Sequence, residues 1–346
     1  MQMGKVNKFG ILNLIGLTVL VLVLMLVAPI GVMGSRKNLH KVDGENKQMV
    51  LELWNIDTFA GGSISKKDFL EKVSVIFESS HSGVYINCKN MTLEEFSYAV
   101  GDNKKPDLIS FGFGAGHSVK PLLQPLDIMC DNVKQEVKLS GISNGEQYAV
   151  GYLMGGYSFF TTAEKLASTT KEDIVLSKDY YTCGYDISLR KSKKHVYGLC
   201  VSNSNYLSPL RCIEKVIDDE IYIADDEYNA YLDFLGLNKS TILLGTQRDL
   251  VRLENKIENG SLSDLIMEPV ARYNDLIQYV GLVNSEKEEN LLYAKEFIEF
   301  LICESSQRLL KDSGLFSVVV KDLYDNATFK NLENVVWSVI NIPCVF

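Results

Sequence analysis

MVLELWNIDTFAGGSISKKDFLEKVSVIFESSHSGVYINC, residues 49–88, decides the architecture. MVLELW (49–54) is a short apolar run of the length expected for a buried strand. Gly61-Gly62 interrupt it, and Phe69, Leu70, Val73, Ile76 and Phe77 then recur at helical spacing. Ser65, followed three residues later by Asp68, is a capping box that satisfies N–H groups left unpaired in a first helical turn. GVYINC (83–88) follows as a second strand.

Toward the C-terminus the pattern repeats. TLEEFSYAV (92–100) reads as a helix and PDLISF (106–111) as a third strand, an alternation that predicts a parallel, doubly wound sheet. EQYAVGYLMGGYSFFTT (146–162) has strand character with glycine breaks, and KSTILLGTQRDLVRLENKI (239–257) reads as strand, glycine turn and helix, so a second α/β lobe is expected there. LLYAKEFIEFLICESSQRLL (291–310) places Leu291, Ala294, Phe297, Ile298 and Leu301 on one helical face, after a capping box from Ser285 to Glu288.

Toward the N-terminus, residues 35–48 are polar and aperiodic, as in a short tether. Residues 9–33 form a nearly unbroken apolar stretch behind Lys5 and Lys8, and about 20 such residues span a bilayer core. The stretch is expected to be a signal peptide or membrane anchor over residues 1–34. Its length favours retention, whereas Val32-Met33-Gly34 offers a cleavage pattern before Ser35. Either way the folded body is expected outside the cytoplasm, anchored through residues 9–33 or released after Gly34.

The chain of 346 residues has room for two domains. Its 35 Lys and Arg stand against 44 Asp and Glu, a net charge of -9 that disfavours nucleic acid as a partner. Seven scattered cysteines form no C-x-x-C motif, which removes the usual zinc-ribbon and thioredoxin readings. Cys183, Cys200 and Cys212 are closest in sequence and are the candidates for a bridge. The four histidines form no H-x-x-x-H pair, and no G-x-S-x-G elbow or Walker loop occurs. No cofactor and no metal are therefore expected. The acidic clusters at 218–220 and 225–227 lack the glycine and ligand spacing of a calcium loop and read as a solvated face. Aromatic residues beside glycines and at strand ends stand out: Trp54, Phe59, Phe111, Phe113, Tyr148, Tyr152 and Tyr157. In a doubly wound sheet, ligands sit beyond the carboxyl ends of strands, and aromatic faces can stack on sugars.

Residues 49–88, KPDLISFGFG (105–114), QYAVGYLMGGYSFFTTAEKL (147–166), ILLGTQRDLVRL (242–253) and AKEFIEFLICESSQRLL (294–310) together resemble the extracellular solute-binding proteins of ABC transporters, in particular the carbohydrate-type, maltose-binding-protein-like group. The resemblance covers most of residues 49–318. It implies a type II periplasmic-binding-protein-like fold, with two doubly wound lobes joined by a hinge. The first lobe would span 49–147, with a returning segment near 264–311, and the second 148–263, with the C-terminal part 312–346. Trp54, Phe59, Gly61 and Gly62 would form the first-lobe wall of a solute cleft, and Phe111 and Phe113 its second loop. Gly245, Thr246, Gln247 and Arg248 would face them, with Tyr157 as a further contact, and the helix beginning near Gly62 would aim N–H groups at the cleft. The sequence departs from the family at Gly151, at Phe160-Thr161-Thr162 and in lacking a lipidated cysteine.

The implied function is capture of a solute, a sugar or oligosaccharide, and its delivery to permease subunits by a monomer that performs no chemistry. Two rivals are a membrane-anchored sensor reporting to a signalling partner and an exported glycan-active enzyme, for which Asp57 and Asp249 are the candidate carboxylate pair.

Overall fold

The computed structural model describes residues 48–167, 174–178, 185–189, 197–202, 221–236, 240–271, 273–284 and 288–346. The apolar segment 9–33, the tether up to residue 47, the cluster 218–220 and the cap residue Ser285 lie outside the described residues. Among those described, no helix is long and apolar enough to cross a membrane.

The opening stretch folds as its pattern predicts. β1 (Met49–Ile56) leads through the turn at Gly61-Gly62 into α1 (Lys66–Ser80), where Ser65 accepts from the Asp68 N–H and Asp68 accepts in return from the Ser65 N–H. Phe69, Leu70, Val73 and Phe77 are buried, each contributing about 1.5–3 kcal/mol. Ile76, expected on the same face, is largely exposed. β2 (Val84–Met91), α2 (Leu93–Gly101) and β3 (Leu108–Gly112) follow, and Thr92 and Glu95 make a second capping box. Both β2 and β3 pair with β1 in parallel.

Short elements come next: α3 (Gly116–Val119), α4 (Gln135–Ser140) and the hairpin of β4 (Ile142–Ser143) and β5 (Glu146–Gln147). β6 (Ala149–Met154) and β7 (Tyr157–Thr162) are separated only by Gly155-Gly156, yet they belong to different sheets. The chain continues through α5 (Ala163–Ala167), β8 (Ile174–Lys178), β9 (Tyr185–Leu189), β10 (Tyr197–Ser202) and β11 (Ile221–Ala224). Next come α6 (Glu227–Leu235), β12 (Ser240–Thr246), α7 (Gln247–Glu258), β13 (Leu265–Pro269) and β14 (Ile277–Leu282). α8 (Glu288–Leu301), α9 (Glu304–Arg308) and α10 (Ala327–Ser338) complete the described elements. The single helix expected over 291–310 is thus broken after Leu301, and Cys303 is the cap from which α9 restarts.

Two five-stranded sheets result, ordered β2-β1-β3-β14-β6 and β11-β10-β12-β7-β13. They share a plan. Three parallel strands stand beside one antiparallel strand that has just crossed from the other sheet: β14 against β3 in the first, β7 against β12 in the second. The lobe boundaries shift accordingly. β6, expected in the second lobe, is the edge of the first sheet, and β13, expected in the segment returning to the first, is the edge of the second. The crossings fall at 155–156 and 270–276 rather than after 147 and 263, because the glycine pair and not the preceding turn ends strand pairing.

Candidate functional site

The loops at the carboxyl ends of β1 and β11 border a cleft of about 540 Å3, the position where open α/β sheets receive ligands. Asp57 to Ala60 line it from the first lobe, Asp225 to Tyr228 from the second, and Arg248 and Arg252 from the first two turns of α7.

At the first-lobe wall, Lys66 is fully buried. Its ammonium lies 3.0 Å from Asp57 Oδ1, donates to the Phe59 carbonyl at 2.6 Å, and sits 3.7 Å from the centre of the Phe59 ring. Burial pulls its pKa down to about 8, and the Asp57 charge only partly offsets that. Asp57 also accepts from Asn90 Nδ2 at 3.2 Å, the outer end of a buried polar row. Asn90 accepts from Asn55, which in turn accepts from Ser110 at 2.7 Å and from Gln278 Nε2 at 3.1 Å, while the Tyr152 hydroxyl pairs with Ser110 at 2.9 Å. Every strand of the first sheet thus contributes one side chain: β2, β1, β3, β14 and β6. Such a row, satisfied except at the buried Gln278 Oε1, fixes the strands' relative register and holds Asp57 in place.

On the second-lobe wall, Asp226 caps α6 by accepting from the Asn229 N–H at 2.8 Å. Glu227, next to it, is largely buried, and burial followed by the nearby Asp249 charge pushes its carboxyl up to about 7. Tyr228 is 54% exposed, and the Arg252 guanidinium lies 5.2 Å from its ring centre. α7 carries three side chains with distinct tasks. Asp249 is buried in a capping box with Thr246 and accepts from Arg252 at 3.1 Å, and burial raises its pKa despite both contacts. Arg248 reaches across to donate to the Gly62 carbonyl at 2.8 Å. Gln247 joins the lobes a second time, with Nε2 donating to the Ala60 carbonyl at 2.9 Å and Oε1 accepting from the Gly156 N–H at 2.9 Å.

Of the residues expected at the site, Phe59 and Arg248 line the cleft. Trp54 does not: it is 6% exposed and packs edge-on against Phe96, because the side chains of β1 are buried on both faces of the sheet. Phe111 is fully buried against Tyr279 and Phe346. Phe113 is half-buried in the turn after β3 and is not among the lining residues. Tyr157 belongs to the hinge, where burial beside Asp275 keeps its hydroxyl protonated and donating to Asp275 at 2.7 Å. Gly61 and Gly62 shape the turn beneath Phe59. A Cβ at Gly62 would lie 2.0 Å from the Ser313 carbonyl oxygen, so only glycine fits there. Gln247 is buried as a bridge between lobes rather than presented to solvent. At the α1 terminus the capping box takes the Asp68 N–H and the Ser63 N–H bonds to the Ser313 carbonyl, and none of residues 61–68 is among the residues lining the cleft. Asp249, buried under α7, does not face Asp57 across the cleft; the second-lobe carboxylates there are Asp225, Asp226 and Glu227. Sequence reasoning assigned these to a solvated face, and only the parallel pairing of β10 with β11, unreadable from local pattern, brings them to the cleft.

Among the described residues no group of three or more His, Cys, Asp or Glu could hold a metal ion. Cys88, Cys130, Cys303 and Cys344 are free thiols, and the side chains of Cys183, Cys200 and Cys212 lie outside the description.

The chain has the type II periplasmic-binding-protein fold: two doubly wound lobes joined at a hinge, with the cleft between strand ends. Among solved structures it is similar to the GacH receptor of Streptomyces glaucescens GLA.O, known unliganded and with acarbose, at 15% identity and a TM-score of 0.60 over 86% of this chain and 88% of that one. An ABC substrate-binding protein from Listeria monocytogenes in complex with cycloalternan is similar at 11% identity and a TM-score of 0.56, over 86% and 89% of the two chains. Thiaminase I from Bacillus thiaminolyticus shares the fold at 11% identity and a TM-score of 0.55, over 85% and 95%. No family model matches the chain. No curated protein sequence matches it either. An enzyme stands among the fold's members, so the fold alone does not separate binding from catalysis.

Proposed function

We propose that the protein captures a polyhydroxylated solute, a saccharide, in the interlobe cleft and presents it to the permease of an ABC transporter on the outer side of the membrane. The observation that carries this reading is the convergence of carboxylates, guanidinium groups, Phe59 and Tyr228 from both lobes on one open cleft of about 540 Å3. Such a lining supplies donors, acceptors and apolar faces without a nucleophile paired to a base. The neighbours bound to acarbose and cycloalternan support a saccharide as the solute class. A solute touching both walls would favour the closed arrangement by its contacts there, which a permease could then recognise.

The test is a thermal-shift screen of the full chain against neutral and charged saccharides, amino acids and short peptides, with chromatography for products after long incubation. A saccharide should raise the melting temperature, because it binds only the folded state, and Tyr228→Ala should weaken that binding while leaving the unliganded melting temperature in place. A response confined to peptides or amino acids would refute the proposal. Release of product would move the reading to the glycan-active enzyme, with Asp57 and Glu227 as the carboxylates to test.

A further inference from the structure

The charges around the cleft are unequally committed. Lys66 is held by Asp57 and the Phe59 carbonyl, Arg248 by the Gly62 carbonyl, and Arg252 by Asp249. Asp57 is taken by Lys66 and Asn90, and Asp226 accepts at one oxygen from the Asn229 N–H at 2.8 Å and at the other from Asn229 Nδ2 at 2.9 Å. Glu227 and Asp225 are different: both line the cleft, and neither has a hydrogen-bond or ion-pair partner among the described residues. Arg248 keeps its charge, since a neutral carbonyl does not balance it, but the lining holds four carboxylates (Asp57, Asp225, Asp226 and Glu227) against two guanidinium groups, so the surplus charge facing a guest is negative.

We infer that the solute taken by this cleft carries a protonated amine, seated against Glu227 and Asp225. The inference rests on the cleft being the solute site, and it narrows the saccharide class to amino sugars. An ammonium supplies three donors and the opposite charge, whereas a hydroxyl supplies one donor and leaves a largely buried carboxylate without a counter-charge. Burial, and after it the Asp249 charge, push the Glu227 carboxyl up, and an ammonium seated against it would favour its charged form. The Arg252, Arg248 and Lys66 charges offset that push only in part, and none of them makes an ion pair with Glu227. Arg252 is engaged with Asp249 and lies over the rings of Tyr228 and Tyr231, and Arg248 is directed at the first lobe. Tyr228, half exposed beside Glu227, adds an aromatic surface that suits either the cation or the sugar face.

Two disaccharides that differ only in the group of interest make the test: fully deacetylated chitobiose, with amines, and cellobiose, with hydroxyls at the same carbons. Calorimetric titration of the full chain should show the amine form binding about tenfold tighter or more, the scale of one desolvated charge pair. Glu227→Gln keeps the shape and removes the charge, and should bring the two affinities toward each other. Asp225→Asn, on an exposed residue, should do so to a smaller degree, and it serves as the readout if Glu227→Gln misfolds. Equal binding of the two sugars, or a preference that survives both substitutions, overturns this inference while leaving the saccharide-capture reading intact. Binding of neither overturns this inference, and the wider saccharide screen then decides the saccharide-capture reading on its own.

Discussion

Replacing Lys66 by Met should change how stability depends on pH. The ammonium is fully buried, and its pKa falls to about 8 in the folded protein from 10.5 in the unfolded chain. Between those values the unfolded chain holds the proton and the folded protein does not, so stability rises with pH across that window. At about 1.36 kcal/mol per pH unit, the gain between pH 8 and pH 10 is of the order of 2–3 kcal/mol. Other groups act in the opposite sense. Cys88, pushed up to about 12 by burial, and the buried Tyr152, Tyr157, Tyr279 and Tyr324 all retain protons in the folded state that the unfolded chain loses, which lowers stability as the solution becomes alkaline. These contributions are common to wild type and Lys66→Met and cancel in the difference. Urea unfolding of both proteins at pH 7, 8, 9 and 10 should therefore give a stability difference, wild type minus variant, that is steady up to about pH 8 and then grows in favour of wild type. Curves that stay parallel within about 0.5 kcal/mol across that range would refute the reasoning, for the lysine would then be as well solvated by Asp57 and the Phe59 carbonyl as by water.

Trp54→Ala should lower stability by about 3–5 kcal/mol and leave solute affinity unchanged, measured by urea unfolding and titration together, because the indole fills the core beside Phe96. Glu227→Gln should stabilise the unliganded protein at pH 8 but not at pH 4. The folded carboxyl titrates near 7 and the unfolded one near 4.5, so the native side chain lowers stability as pH rises between them, and urea midpoints at the two pH values check this. The double variant Gln247→Ala, Arg248→Ala removes the bonds from α7 to the Ala60–Gly62 turn, and small-angle scattering should show a larger radius of gyration without solute.

The first lobe was legible because its signals are local. Capping boxes at Ser65 and Thr92, helical spacing from Phe69 to Phe77, and short apolar runs between them need no knowledge of distant residues. The glycine pair before β7 was equally visible, but its meaning was not. Nothing in AVGYLM and YSFFTT tells which sheet each strand joins, since both are buried along their whole length and show no alternation. The same loss of alternation explains Trp54 and Phe111. In strands covered on both faces an aromatic at the carboxyl end has no periodic mark separating a core position from a cleft wall. Glu227 was illegible for another reason. A run of three acidic residues looks like solvated surface, and its burial follows only from the packing of α6 against β12 and the approach of the first-lobe loop.

The position of β14 has a consequence for how the chain comes to be folded. It lies between β3 and β6, so β6 has no partner in its own sheet until residue 277 has been made, more than a hundred residues after β6 ends. Until then β3 and β6 are open edges, the kind that recruit strands from other chains. The first lobe cannot close before most of the second has been synthesised, which ties its completion to contacts of long sequence separation and therefore to slow folding. Under the proposed role outside the membrane, a chain that has to cross it unfolded would gain time from that delay.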